Sequence, residues 1–239
     1  AGMTYERTED VVGWHRHTLG GVVESVVAIP HWDGDQDVLW LIVRRTIGGT
    51  TKRYIEYMEK YLEDEYALFM DSALTYDGAA TTSISGLAHL EGEEVVVLVD
   101  GAVHPNRTVA SGAINLQTAA SVVNVGLAYT ATIRTMPMVA GAQDGTAMGK
   151  PQRIHNIVMS LYKTGPGLWY GPNTITMDEY HVRSDGDAMD APVPLFSGFT
   201  RLLPWPGEYE QGTAITIQHR LPLPCTLTGL MPQMNTYDR

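Results

Sequence analysis

VLWLIVRRTIGGTTKRYIEY, residues 38–57, places two runs rich in β-branched and aromatic residues on either side of Gly48-Gly49. Adjacent glycines between strand-like runs supply the φ > 0 positions that a two-residue hairpin turn demands. The reading is a hairpin with Arg45 opposite Lys52, Val43 opposite Tyr54, Ile42 opposite Ile55 and Trp40 opposite Tyr57. Upstream, Thr18-Leu19-Gly20-Gly21-Val22 has the same form and predicts Leu19/Val22, His17/Glu24, His15/Val26, Trp14/Val27 and Val12/Ile29 as opposed pairs. That register puts Val12, Trp14, Val27 and Ile29 on one face and His15 and His17 on the other. A loop from His31 to Gln36 joins the two hairpins. Residues 1–65 therefore read as a four-stranded antiparallel meander, the size of one β-propeller blade of roughly fifty residues. A lone blade has nothing to cover its faces. The chain thus reads as a C-terminal portion or a piece of a larger assembly, with Ala1-Gly2 an expression remnant.

Tyr54 to Tyr66 reads as strand running into a polar linker or short helix. From residue 66 to 137, Asp77-Gly78, Glu91-Gly92, Asp100-Gly101 and Ser111-Gly112 separate strands of five to nine residues, among them EEVVVLV, residues 93–99. Short strands at this spacing predict a small β-barrel. Ala140 to Lys150 lacks periodicity and reads as a mobile loop. Residues 138–239 then give strands at Arg153 to Tyr162, Thr174 to Val182 and Thr213 to Arg220, which predict a β-sandwich-like region. The fold class expected for the whole chain is all-β.

Composition agrees with that class. The 239 residues include 24 glycines and 13 prolines, and 44% are hydrophobic, enough for sizeable cores. With 16 basic against 27 acidic residues, the formal net charge is −11. Gripping nucleic acid by counterion release needs clustered Lys and Arg, so this balance argues against it. The same sign suits a surface along which a polyanion slides. Cys225 is the only cysteine, which excludes an intrachain disulfide and a cysteine-built zinc site and fits synthesis in a reducing compartment. No apolar run reaches the eighteen residues of a membrane span.

Motifs for chemistry are sparse. His15 and His17, two apart on a strand, share a face as metal ligands on a sheet would. A third ligand is missing, and a cross-strand bond from His17 to Glu24 accounts for the pair. Asp33, Asp35 and Asp37 mimic the start of a calcium loop, but the sixth position is Val38 and the twelfth Arg44, where an EF-hand needs glycine and glutamate. Cys225 sits in a Pro-Leu-Pro-Cys run with no evident base, and neither a nucleophile elbow nor a phosphate-binding loop is present. No catalytic residue, cofactor or metal is assigned, and the chain reads as a non-enzyme. Of five tryptophans, Trp14 and Trp40 fall on apolar faces and read as core. Trp32, Trp169 and Trp205 lie in loops bounded by glycine or proline and form the candidate interaction surface, with subunit packing weighed ahead of sugar stacking.

The order of phrases along the chain adds a resemblance. VVGWHRHTLGG, VESVVAIP, DQDVLWLIVRRTIGGTTKRYIEYME, DSALTYDG, SGLAHLEGEEVVVLVDGAVHP and VGLAYTATI, with QHRLPLPCTLTGL much later, resemble the C-terminal portion of podophage tail nozzle proteins, also called tail tubular protein B. The likeness covers residues 9–137 well and 213–231 fairly, and Leu87 to Tyr129 is similar to the small barrel called FCCH-like. The resemblance implies a virion tail protein made in the host cytoplasm, self-associating in a ring of six below the portal. It would meet the portal adaptor and tail fibres or spikes, enclose the channel through which DNA passes without specific binding, and carry no membrane span. Alternatives are a carbohydrate- or receptor-binding tail module and, behind it, a tail-associated polysaccharide hydrolase.

Overall fold

A computed structural model describes residues 2–31, 34, 36–59, 67–139, 141–142, 145–146, 149–189 and 191–237. About 60% of the chain is strand and every named pairing is antiparallel, so the all-β class holds. The chain divides into two compact units, residues 1–59 and 60–239.

The first unit contains β1 (Gly2–Glu6), β2 (Val11–His15), β3 (Val22–Pro30), β4 (Asp37–Ile47) and β5 (Thr50–Tyr57). The hairpin about Gly48-Gly49 forms in the expected register, Arg45 to Lys52 through Trp40 to Tyr57, and both glycines adopt positive φ. Gly20-Gly21 makes no hairpin. β2 pairs with β1 instead, Met3 opposite Trp14 and Tyr5 opposite Val12, and β3 pairs with β4, Val27 opposite Trp40 and Ile29 opposite Val38. The four-stranded meander is therefore a three-stranded sheet, β3-β4-β5, and a separate two-stranded ribbon. The reason lies in what Gly21 is for. It stays out of the left-handed region and approaches β4 so closely that a Cβ would stand 2.7 Å from Val43 Cγ1 and 2.9 Å from both the Arg44 carbonyl oxygen and Arg45 Cγ. Gly21 supplies room for a close crossing, which a turn-dipeptide reading cannot distinguish from a bend. Of the Tyr54 to Tyr66 linker, the part beyond Glu59 lies outside the described residues.

In the second unit, β6 (Asp71–Ser85), β7 (Glu94–Val99), β8 (Ala102–Thr108) and β9 (Ala113–Leu127) form one sheet in the order β6-β9-β7-β8. Asp100-Gly101 and Ser111-Gly112 are tight turns, all four residues at positive φ, and Glu91 holds the second by accepting the amides of Ser111 and Gly112 at 2.8 and 2.6 Å. The expected barrel does not close: β6 and β8 are free ends of an open path. Four strands enclose too little circumference to hold their own side chains. The run Val95 to Leu98 is buried, and so are Leu87 and Leu90, which flank and end a 3₁₀ turn, Ala88–Leu90. Asp77-Gly78, expected to end a strand, lies inside β6 at a register shift. There the Tyr76 hydroxyl donates to the Ala79 carbonyl at 2.7 Å, so the dipeptide bends the strand as a bulge.

The remaining strands are β10 (Ala131–Arg134), β11 (Gly141–Ala142), β12 (Gly145–Thr146), β13 (Pro151–Thr164), β14 (Leu168–Gly171), β15 (Asp178–Tyr180), β16 (Phe196–Phe199), β17 (Leu203–Pro204), β18 (Glu210–Gln211), β19 (Thr216–His219) and β20 (Thr226–Thr236). β11 and β12 pair with one another within the segment expected to be a loop. The rest build two sheets. One runs β10-β19-β14-β15. In the other, β13 is flanked by β20 and by β16, β17 and β18. Ile154, Ile157, Met159 and Leu161 from β13 share a buried core with Leu168, Tyr170, Tyr180, Ile215 and Ile217, which gives the region its sandwich character. β10 belongs to this sandwich although the sequence reading assigned residues up to 137 to the barrel. β15 is shorter than expected because the Asn173 side chain accepts the amides of Ile175 and Thr176, at 2.9 and 2.8 Å, and claims them for a turn. β20 has no counterpart in the sequence reading. Gly229 and Pro232 argue against a strand, yet β20 is an edge strand, where proline is tolerated.

Candidate interaction surfaces

Of the three tryptophans of the expected surface, Trp169 and Trp205 are described, and the two do not form one. Trp32 lies outside the described residues. Trp205 is 6% exposed, inside the sandwich core. β17 pairs with Asn156 and Ile157 and hands the chain to Trp205, whose amide donates to the His155 carbonyl at 3.0 Å and whose ring lies 6.3 Å from Tyr170. Its proline and glycine neighbours suggested an exposed loop; a large apolar ring beside a β-edge is drawn inward by burial.

Trp169 is half-buried on the outer face of β14, in a cross-strand row with Glu179, Gln218 and Thr132. Arg220 lies over its ring, 4.3 Å from the centroid, and is fixed there by two bonds to Gln218 Oε1 at 3.0 and 2.7 Å. The guanidinium occupies a ring face that a sugar would use for stacking. A groove of about 340 Å³ in this unit is lined by Val103, Pro166, Arg183, Pro192, Leu221 and Leu223. Arg183 is tied to the carbonyls of Ala188 and Ala191.

The most prominent surface is one the sequence reading did not name. In β3-β4-β5 the register aligns Val27, Trp40 and Tyr57 in one row, Ser25, Ile42 and Ile55 in the next, and Ile29 with Val38 beyond. Those rows share one face, and of these side chains only Val38 is buried. Ile55 is 76% exposed and Val27 54%. The Trp40 and Tyr57 rings meet at 5.2 Å. Where the patch ends, Arg44 and Arg53 straddle Glu24, Nε to carboxylate at 3.0 and 2.6 Å. The Arg53 guanidinium is the main reason the Glu24 carboxyl titrates below the usual range. Glu24 is thereby committed to arginine, and the expected His17–Glu24 pair is not made. The opposite face buries Val43, Arg45 and Ile47.

The β1–β2 ribbon repeats the pattern. Met3 with Trp14 and Tyr5 with Val12 stand on one face, all four exposed, Trp14 by 77%, so the core position expected of Trp14 is not what the ribbon gives it. His15 and His17 meet edge to face at 4.9 Å. Partial burial, then the neighbouring His15, hold His17 below the ordinary histidine range. Among the described residues no three His, Cys, Asp or Glu side chains converge as a metal would require. Asp33 and Asp35 lie outside the described residues, and Asp37 starts β4. Burial pushes the Cys225 thiol up to about 11, far from a nucleophile's poise. No described helix is long and apolar enough to cross a membrane. No family model matches the sequence, and no curated protein matches it.

Periodicity could have found the apolar face, since even positions 38, 40 and 42 and odd positions 55 and 57 alternate with the rest. What it lacked was any signal that Ile42, Ile55 and Tyr57 stay exposed.

Proposed function

We propose that this chain is a structural component of a short-tailed bacteriophage tail, part of the nozzle that surrounds the DNA ejection channel. The observation that carries the reading is the bare apolar face of β3-β4-β5, a patch such as isolated monomers seldom expose. It is the kind of surface an assembling part presents to a neighbour. The order of nozzle-like phrases from residue 9 to 137 supports the virion context, and the net charge of −11 suits a wall past which DNA slides. Ring assembly about the tail axis, with contacts to an adaptor and to fibres or spikes, belongs to the same proposal.

The test is a reconstruction of the intact particle. The expected result is that the β13–β20 sandwich fits density repeated around the tail axis; its absence from the tail overturns the reading. Duplex DNA at physiological salt is expected to show no measurable affinity for the chain, and submicromolar binding counts against it.

A further inference from the structure

We propose that the β1–β2 ribbon of one copy docks, through Met3, Tyr5, Val12 and Trp14, on the apolar face of β3-β4-β5 in a second copy. This deepens the assembly reading and rests on its premise that copies of the chain meet. Three observations support it. Both surfaces are apolar and exposed in the same unit. They match in length: five-residue strands run about 16 Å, close to the span of the rows from Val38 to Ile42.

They are also complementary in charge. The ribbon's tip carries Glu6, Arg7, Glu9 and Asp10, three acids to one base, and the end of the sheet carries Arg44 and Arg53 against the single Glu24. Laying the acidic tip at the arginine end brings Tyr5 and Val12 over Ile42 and Ile55, and Met3 and Trp14 over Val27 and Trp40. Steering of this kind fixes orientation more than affinity.

The ribbon that docks belongs to another copy because within one chain the two surfaces do not cover each other: Trp14 is 77% exposed and Ile55 76%.

Sedimentation velocity on the full chain across a concentration series tests this with Trp14→Asp and Ile55→Asp. Each variant alone is expected to lose the associated species. An equimolar mixture is expected to regain one, because each chain supplies the surface the other lacks. Loss in Ile55→Asp with full association in Trp14→Asp means that the face meets something other than the ribbon and overturns the inference. Association surviving in both variants overturns it too, while leaving the assembly reading standing. A wild-type chain that stays monomeric overturns both. Circular dichroism checks folding, and Val12→Asp with Ile42→Asp replaces any variant that loses its β signal.

Discussion

The Arg45 guanidinium, fully buried, forms a two-pronged pair with Glu56, Nε to Oε1 at 2.6 Å and Nη2 to Oε2 at 2.7 Å. Arg45 reaches along β4 to meet a carboxylate that stands opposite Leu41. A charge pair in this position organises the covered face of a sheet whose other face is bare.

Removing one partner of a buried pair is costlier than removing both, because the charge that stays inside the fold loses the two bonds that balanced it. Glu56→Ala is expected to destabilise the first unit by about 3 kcal/mol, whereas Arg45→Met with Glu56→Leu is expected to cost much less. Urea unfolding of both variants decides; equal losses would show that Glu56 does not balance Arg45.

Two glycines in the same unit should respond in opposite ways. Gly21→Ala drives a methyl into the Arg44 carbonyl, and overpacking of that kind costs about 1–3 kcal/mol. Gly13 meets nothing within 4 Å, so Gly13→Ala is expected to be neutral or to stabilise by about 0.5 kcal/mol through the unfolded chain. Thermal melts of the pair distinguish the two roles.

Trp205→Ala should remove about 3–5 kcal/mol from the sandwich, the range for deleting a buried aromatic ring. Trp169→Ala loses a half-buried ring and its Arg220 stack, the stack contributing about 0.5–1 kcal/mol. Denaturation midpoints should therefore order wild type, then Trp169→Ala, then Trp205→Ala. The reverse order would contradict the burial pattern.

Burial holds His219 below the ordinary histidine value, and hydrogen bonding of the ring to backbone acceptors at Gly165, Pro166 and Leu221 offsets part of the effect. Its folded pKa is thus lower than its unfolded one, so the unfolded chain takes up the proton first as pH falls. Stability is level above about pH 6.5 and declines below it. Comparing unfolding midpoints above and below that pH should show a smaller decline in His219→Gln than in wild type; an unchanged decline would assign it elsewhere.

With its thiol raised to about 11, Cys225 is almost wholly protonated at pH 8. Iodoacetamide should label the folded chain slowly and the urea-unfolded chain many times faster. Equal rates would mean that the thiol is not shielded.

How far the fold was legible depended on whether a residue's role was local. Gly48-Gly49 and Asp100-Gly101 read correctly because a two-residue turn is decided by the φ each residue tolerates. Gly20-Gly21 carries the same letters, but Gly21 answers to Val43 and Arg45, more than twenty positions away. β20 was hidden for a similar reason: Gly229 and Pro232 contradict a strand until β13 lies alongside on one edge only.

The candidate surface divides the same way. Sequence by itself determined the all-β class, the β4–β5 register and the alternation that lines up Trp40, Ile42, Ile55 and Tyr57, because strand period and turn geometry are short-range properties of the backbone. Only the tertiary structure decided that Trp205 goes inward, that β10 joins the sandwich, and that the Trp40 face stays open. Burial is set by which strands meet, and the partners that settle it stand dozens of residues apart in the chain.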